Sequence, residues 1–319
     1  MKYGFTVPSR GPLAEPDSLV TIAKRAEVLG YDSISLGDHI LVPKDIDSTY
    51  PYTETGEFPG STSGACLEQL NVLSYLAGQT ERIRLATSVM IVPHRNPLVA
   101  AKALTTIDVL SKGRLVVGIG AGWMREEFEA LGIPAFEERG AVTDEYIQAI
   151  KELWTSDNPT FEGQYCRFSD ITFLPKPAQQ PHPPIWVGGE SRRAMRRAAR
   201  YCNGWYPIDS NPQFPLSTPE QLDEGIKLLR DYAEKEGRDP SDIDVIYRTH
   251  HYQLNGVGGA SSTERQRFTG NGDQIGADIR QVQELGVAYL IVDFARLSQN
   301  VEEMLGHLED MATEVWPNV

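Results

Sequence analysis

Cysteine is scarce in this chain: Cys66, Cys166 and Cys202 are the only three in 319 residues, far apart and odd in number. No CxxC occurs, so neither a disulfide framework nor a zinc site is indicated. Positive charge is also short, with 30 Lys and Arg against 44 Asp and Glu and a formal net charge of −14. Phosphate backbones are bound by basic surface, so nucleic acid is excluded as the main partner. No apolar run reaches the roughly 20 residues of a membrane-spanning helix, and no membrane partner is expected. The opening segment MKYGFTVPSRG lacks the apolar stretch of a secretory signal, so a cytoplasmic location is expected. There is no GxSxG nucleophile motif and no HxxxH pair. His250 and His251 are adjacent, which suits opposite faces of an extended chain better than one ion, so no metal site is expected.

What is present is alternation. Short β-branched or apolar runs around Tyr3, Tyr31, Ile83, Leu115, Ile185, Trp205, Ile243 and Tyr289 are mostly followed by segments with apolar residues at helical spacing. Eight such strands with intervening helices predict an α/β chain whose parallel sheet closes into a (β/α)8 barrel. No linker-like shift in composition divides residues 1–319, so one domain is expected, with insertion loops at 41–65 and 248–273. The aromatics Tyr50, Tyr52 and Phe58 favour a lid for the first loop. The clearest unit lies in residues 81–128. A strand over 82–90 is followed by a helix opened by Pro97 and closed by Gly113, and then by a buried strand over 115–119.

Barrel chemistry sits at the carboxyl ends of the strands. The residues there are Asp38-His39, Ser88-Val89, Gly120-Ala121-Gly122, Gly188-Gly189-Glu190-Ser191 and the 248–251 segment. Gly188 to Ser191 precede a helix, so close backbone approach and free N–H groups make a phosphate cradle there. The arginines further along that helix read as a solvated basic face. The Gly118-x-Gly120-x-Gly122 run lacks the third glycine offset and following acid of a nicotinamide site. It reads instead as a flat shelf for a planar ring. His39 is the residue type suited to proton transfer.

The segments SLGDHI (35–40), LATSVMIVPHRNPLVAAKALTTIDVLSKGRLVVGIGAGW (85–123), EEFEALG (126–132) and PIWVGGES (184–191) resemble the bacterial luciferase-like flavin and F420 oxidoreductases, most closely their F420-dependent class. The resemblance implies a luciferase-like barrel holding coenzyme F420, or alternatively FMN, at the carboxyl ends of the strands. It implies a non-proline cis peptide at Ser88-Val89 backing the cofactor ring, with Asp38 and His39 beside it as catalytic residues. Gly120, Ala121 and Gly122 match a cofactor-lining turn, and Gly188, Gly189, Glu190 and Ser191 match the phosphate cradle. Some sugar-phosphate dehydrogenases of the class carry a glutamate proton donor where this chain has Trp123. An indole there makes the pocket apolar. Glu126 and Glu127 lie one helical turn on and could substitute for that donor, though helix-start charge is the reading preferred for them. The expected activity is hydride transfer between F420 and an apolar or aromatic small molecule. An FMN-dependent monooxygenase on the same barrel is the first alternative and a non-catalytic flavin-binding protein the second. The class also allows a homodimer.

Overall fold

The computed structural model describes residues 1–59, 64–256 and 265–319. Eight parallel strands form a ring: β1 (Lys2–Val7), β2 (Ser33–Leu36), β3 (Arg84–Thr87), β4 (Leu115–Gly120), β5 (Ile185–Gly188), β6 (Gly204–Tyr206), β7 (Asp244–Thr249) and β8 (Val287–Val292). Each pairs with the next in chain order, and β1 pairs with β8 through Gly4 opposite Ile291, closing the barrel. The helices are α1 (Pro16–Leu29), α2 (Gln69–Ala77), α3 (Pro97–Leu110), α4 (Arg125–Leu131), α5 (Arg139–Thr155), α6 (Arg192–Tyr201), α7 (Pro219–Lys235), α8 (Gly272–Glu284) and α9 (Val301–Asp310). A short antiparallel hairpin, Phe161–Glu162 with Arg167–Phe168, precedes β5.

Strand periodicity separates two cores. Leu85, Leu115, Val117, Ile185, Val187, Tyr247 and Leu290 face outward into the layer shared with the helices. Their neighbours Ala86, Val116, Trp186, Tyr206, Ile246, Tyr289 and Ile291 fill the barrel. The filling is lopsided. Large rings come from β5, β6 and β8, with Trp186 and Tyr289 centred 4.9 Å apart. Small residues face them from the other side: a Cβ on Gly4 would sit 2.6 Å from Ile291, so Gly4 cannot carry one.

The strand expected over 82–90 stops at Thr87. The Ser88-Val89 peptide is cis, and pairing resumes only at Met90–Ile91, against Ile119 and Gly120. Nearby glycines follow from this bulge. A Cβ on Gly118 would lie 2.0 Å from the Thr87 carbonyl oxygen, and one on Gly120 or Gly188 would meet the Val89 side chain at 2.7 or 2.9 Å. The glycine run therefore serves the bulge, which is why its spacing does not match a nucleotide fingerprint. At the end of α3, Gly113 is left-handed as expected, and its N–H donates to the Asp108 carbonyl.

Candidate active site

The inward-facing parity of the strands carries past their carboxyl ends and sets the floor of a cavity of about 470 Å³. Ser88, Gly188, Tyr206, Arg248 and Asp293 form this floor. Its polar atoms are joined. The Ser88 hydroxyl lies 2.9 Å from the Tyr206 hydroxyl, and Arg248 donates to Ser88 Oγ at 3.2 Å and to Asp293 at 2.7 Å. Burial works against the Arg248 charge, but Asp293 outweighs it and the guanidinium stays a firm cation. Burial, Arg248 and Arg296 together hold His250 far below the ordinary histidine value. The neutral ring accepts at Nδ1 from Ser210 Oγ (2.7 Å) and from Arg296 (3.1 Å).

One wall is aromatic. Trp123 stands 5.1 Å from Tyr50, 5.3 Å from Phe58 and 6.3 Å from His39 between ring centres. Tyr50, Tyr52 and Phe58, from the loop after β2, line the cavity. Positions 60–63 of that loop and 257–264 of the loop after β7 lie outside the described residues. Two acids at the start of α4 fasten the wall. Glu126 accepts from the backbone N–H groups of Asp47 and Ser48 at 2.9 and 3.0 Å. Glu127 accepts from His39 Nδ1 at 2.9 Å and from the Ile40 N–H at 2.8 Å. Burial works to raise the Glu127 carboxyl, while the hydrogen bond and charge of His39, with His94 nearby, outweigh it and hold the group below its usual value. An ionised Glu127 only accepts, so His39 Nδ1 carries a proton in either charge state, and in the neutral ring Nε2 is the nitrogen with the lone pair on the cavity-lining side chain.

The candidate residues therefore separate by role. His39, Ser88, Val89, Trp123 and Gly188 line the cavity together. Asp38 also borders it, but its carboxylate is fully engaged. Arg95 grips both oxygens at 2.7 and 2.8 Å and the Ile91 N–H adds a third bond at 2.9 Å, so Asp38 braces the turn and is not free to move a proton. Gly120 and Gly122 are filled against Val89 and against Phe128 and Ile91. Along with Ala121, they support the wall and do not border the cavity. In the cradle, the Glu190 carboxylate turns into the fold and accepts from the Ile208 N–H at 2.8 Å and from Asn211 at 2.6 Å. Burial pushes it up to about 7, against those bonds. Ser191 Oγ accepts from the Ala194 N–H as the cap of α6. For an anion there remain the N–H groups of the α6 amino end beside Gly188 and Gly189, with the exposed Arg192 and Arg193 in the same first turn. These, with the apolar Val89 and Ile91 surface and the cavity volume, suit a phosphorylated planar cofactor.

Arg10, Tyr206, Asp293 and Arg296 border the cavity but were not among the sequence candidates. Inward parity at the end of β6 and just past β8 was the available signal for Tyr206 and Asp293. Among the described residues, no cluster of His, Cys, Asp and Glu could hold a metal ion, and no helix is long and apolar enough to cross a membrane. A wider groove of about 720 Å³ lies at the amino end of the barrel, around Met1, Tyr3 and Trp316. It is lined by Arg280, Gln283 and Glu284 as well, and Arg280 is turned to the Asn318 carbonyl.

A closed parallel barrel with its cavity at the carboxyl ends defines an α/β barrel of the enzyme-bearing kind. The chain belongs to the luciferase-like monooxygenase family of oxidoreductases, whose model matches residues 1–254. Three relatives show its breadth. An uncharacterised protein of Mycobacterium tuberculosis is 31% identical over 220 residues, covering 68% of this chain and 74% of that protein. The FMNH(2)-dependent dimethylsulfone monooxygenase of Pseudomonas putida is 40% identical over 146 residues, 45% of this chain and 40% of that one. The F420-dependent glucose-6-phosphate dehydrogenase of Nakamurella multipartita is 31% identical over 233 residues, 72% and 62%. The fold is shared with the monooxygenase RslO1 of Streptomyces bottropensis (TM-score 0.74, 22% identity, 99% of each chain). It is shared equally with the F420-dependent tetrahydromethanopterin reductase of Methanopyrus kandleri (TM-score 0.73, 16% identity, 99% and 98%).

Proposed function

We propose that the protein transfers hydride between coenzyme F420 and an apolar or aromatic small molecule. The observation that carries this reading is His39 at the aromatic wall, its Nδ1 fixed by a buried carboxylate and its Nε2 without a hydrogen-bond partner among the described residues. Hydride transfer to or from a substrate carbon leaves a proton to be moved at the adjoining oxygen or carbon, and a histidine oriented in this way moves it. F420 supplies the hydride-carrying ring when bound. Val89 and Ile91 give that ring an apolar backing, and the α6 amino end beside Gly188 and Gly189 receives its phosphate. Trp123, Tyr50 and Phe58 cover the reacting face from water and shape the substrate side. His39 Nε2 accepts the proton when substrate is oxidised and returns it in the reverse direction, while Glu127 holds the ring and its charge.

A second reading, an FMN-dependent monooxygenase, is favoured by the 40% identity to the Pseudomonas putida enzyme. Turnover in two reaction mixtures separates them. Without oxygen, aromatic alcohols mixed with oxidised F420 and enones mixed with reduced F420 are expected to change the F420 absorbance. Turnover only with reduced FMN and oxygen would replace the first reading with the second.

A further inference from the structure

Most charges at the cavity are balanced, and two are not. Asp38 is held by Arg95, and Arg248 by Asp293. Arg10 lies over the Phe58 ring at 5.0 Å, and among the described residues no carboxylate comes within ion-pair distance of it. Arg296 reaches only the neutral His250 ring, again with no carboxylate partner among the described residues. Two uncompensated cations line one cavity in a chain whose net charge is −14. Both adjoin the aromatic wall: burial raises the Tyr50 hydroxyl, and Arg248, Arg296 and Arg10 all pull the other way.

Their place in the ring distinguishes them from the phosphate cradle. Arg10 follows β1 and Arg296 follows β8, strands that pair with each other. The cradle follows β5, which stands across the barrel from β1 in the strand order. An anion held at the cradle leaves the β1–β8 side to a second anion. From this we propose that the substrate is an acid, an aromatic or apolar body carrying a carboxylate that Arg10 and Arg296 receive while its rings lie against Trp123, Phe58 and Tyr50. The inference rests on reading this cavity as a substrate site and adds the charge of what enters it. An arginine fork matches a carboxylate in shape as well as charge, and the aromatic wall favours the rest of the molecule.

Calorimetric titration of the cofactor-free protein tests this with benzoate, phenylacetate and 2-naphthoate, each against its uncharged amide. At least one acid is expected to bind about tenfold more tightly than its amide. The R10Q/R296Q double variant is expected to erase that preference and leave amide binding unchanged, while R10K/R296K keeps part of it. Equal binding of acid and amide across the panel overturns the proposal, as does a preference that survives R10Q/R296Q. Titrating the same variants with F420 and with FMN separates the sources of the anion. If R10Q/R296Q lowers cofactor affinity and leaves the acid preference intact, the arginines serve the cofactor and the proposal falls. If neither cofactor binds the native protein but the acid preference holds, the proposed activity falls and the acid site stands.

Discussion

At the scale of single residues, Glu127 and His39 behave as one unit. Glu127 is 1% exposed, and both its oxygens are occupied by His39 and the backbone after it. Removing either partner removes the same oriented ring. H39A is expected to lower turnover at least about tenfold, and E127Q by a smaller factor. The H39A/E127Q double variant is then expected to be no slower than H39A alone, because the carboxylate acts only through the imidazole. Steady-state kinetics on the four proteins checks this, and losses that multiply would show that Glu127 acts by another route. The residue scale is also where sequence reading is weakest. His39 was legible from its place after β2. Glu127 was not, because an acid in the first turn of a helix already has a sufficient explanation in the helix dipole. The contact that matters spans 88 positions in the chain.

Elements were easier to read, and their exceptions have a common cause. The helix Arg139–Thr155 and the left-handed caps at Gly30 and Gly113 follow from local pattern alone. The strand after α2 departs from expectation because apolar periodicity does not register a bulge: residues 84–87 and 90–91 are both apolar enough to read as one run. The glycines that face the bulge belong to β4 and β5, so their purpose emerges only once those strands pair. They also rank by what blocks them. G118A drives a methyl into the Thr87 backbone carbonyl and is expected to cost about 3 kcal/mol, whereas G120A meets only the Val89 side chain and is expected to cost about 1 kcal/mol. Denaturant unfolding measures both. An unchanged midpoint for G118A would contradict the close approach of β3 and β4.

At the scale of the whole molecule, the eight-fold alternation predicted the barrel, and closure through β1 and β8 brought the scattered strand ends to one cavity. The lid aromatics were legible as a group, but their packing on Trp123 was not, since nothing local in the chain brings the loop after β2 to the end of β4. Glu190 ties the carboxyl-end loops to stability. Its carboxyl titrates near 7 in the fold, raised chiefly by burial, and near 4.5 when unfolded. Between those values the folded chain holds a proton that the unfolded chain has released, so the group's stabilising effect is full below the unfolded value and declines as pH rises toward 7. The loss amounts to about 3 kcal/mol at most. E190Q is expected to flatten that part of the stability–pH curve, measured as melting temperature between pH 5 and 8. An identical decline in E190Q would assign it to another group.

The central claim concerns the ring that Val89 backs and His39 faces, and equilibrium binding tests it most directly. Purified protein dialysed against equal concentrations of F420 and FMN is expected to retain F420 at least about tenfold more tightly, with mutation of Val89 to Asp abolishing the difference. Retention of FMN in preference to F420 would contradict the account.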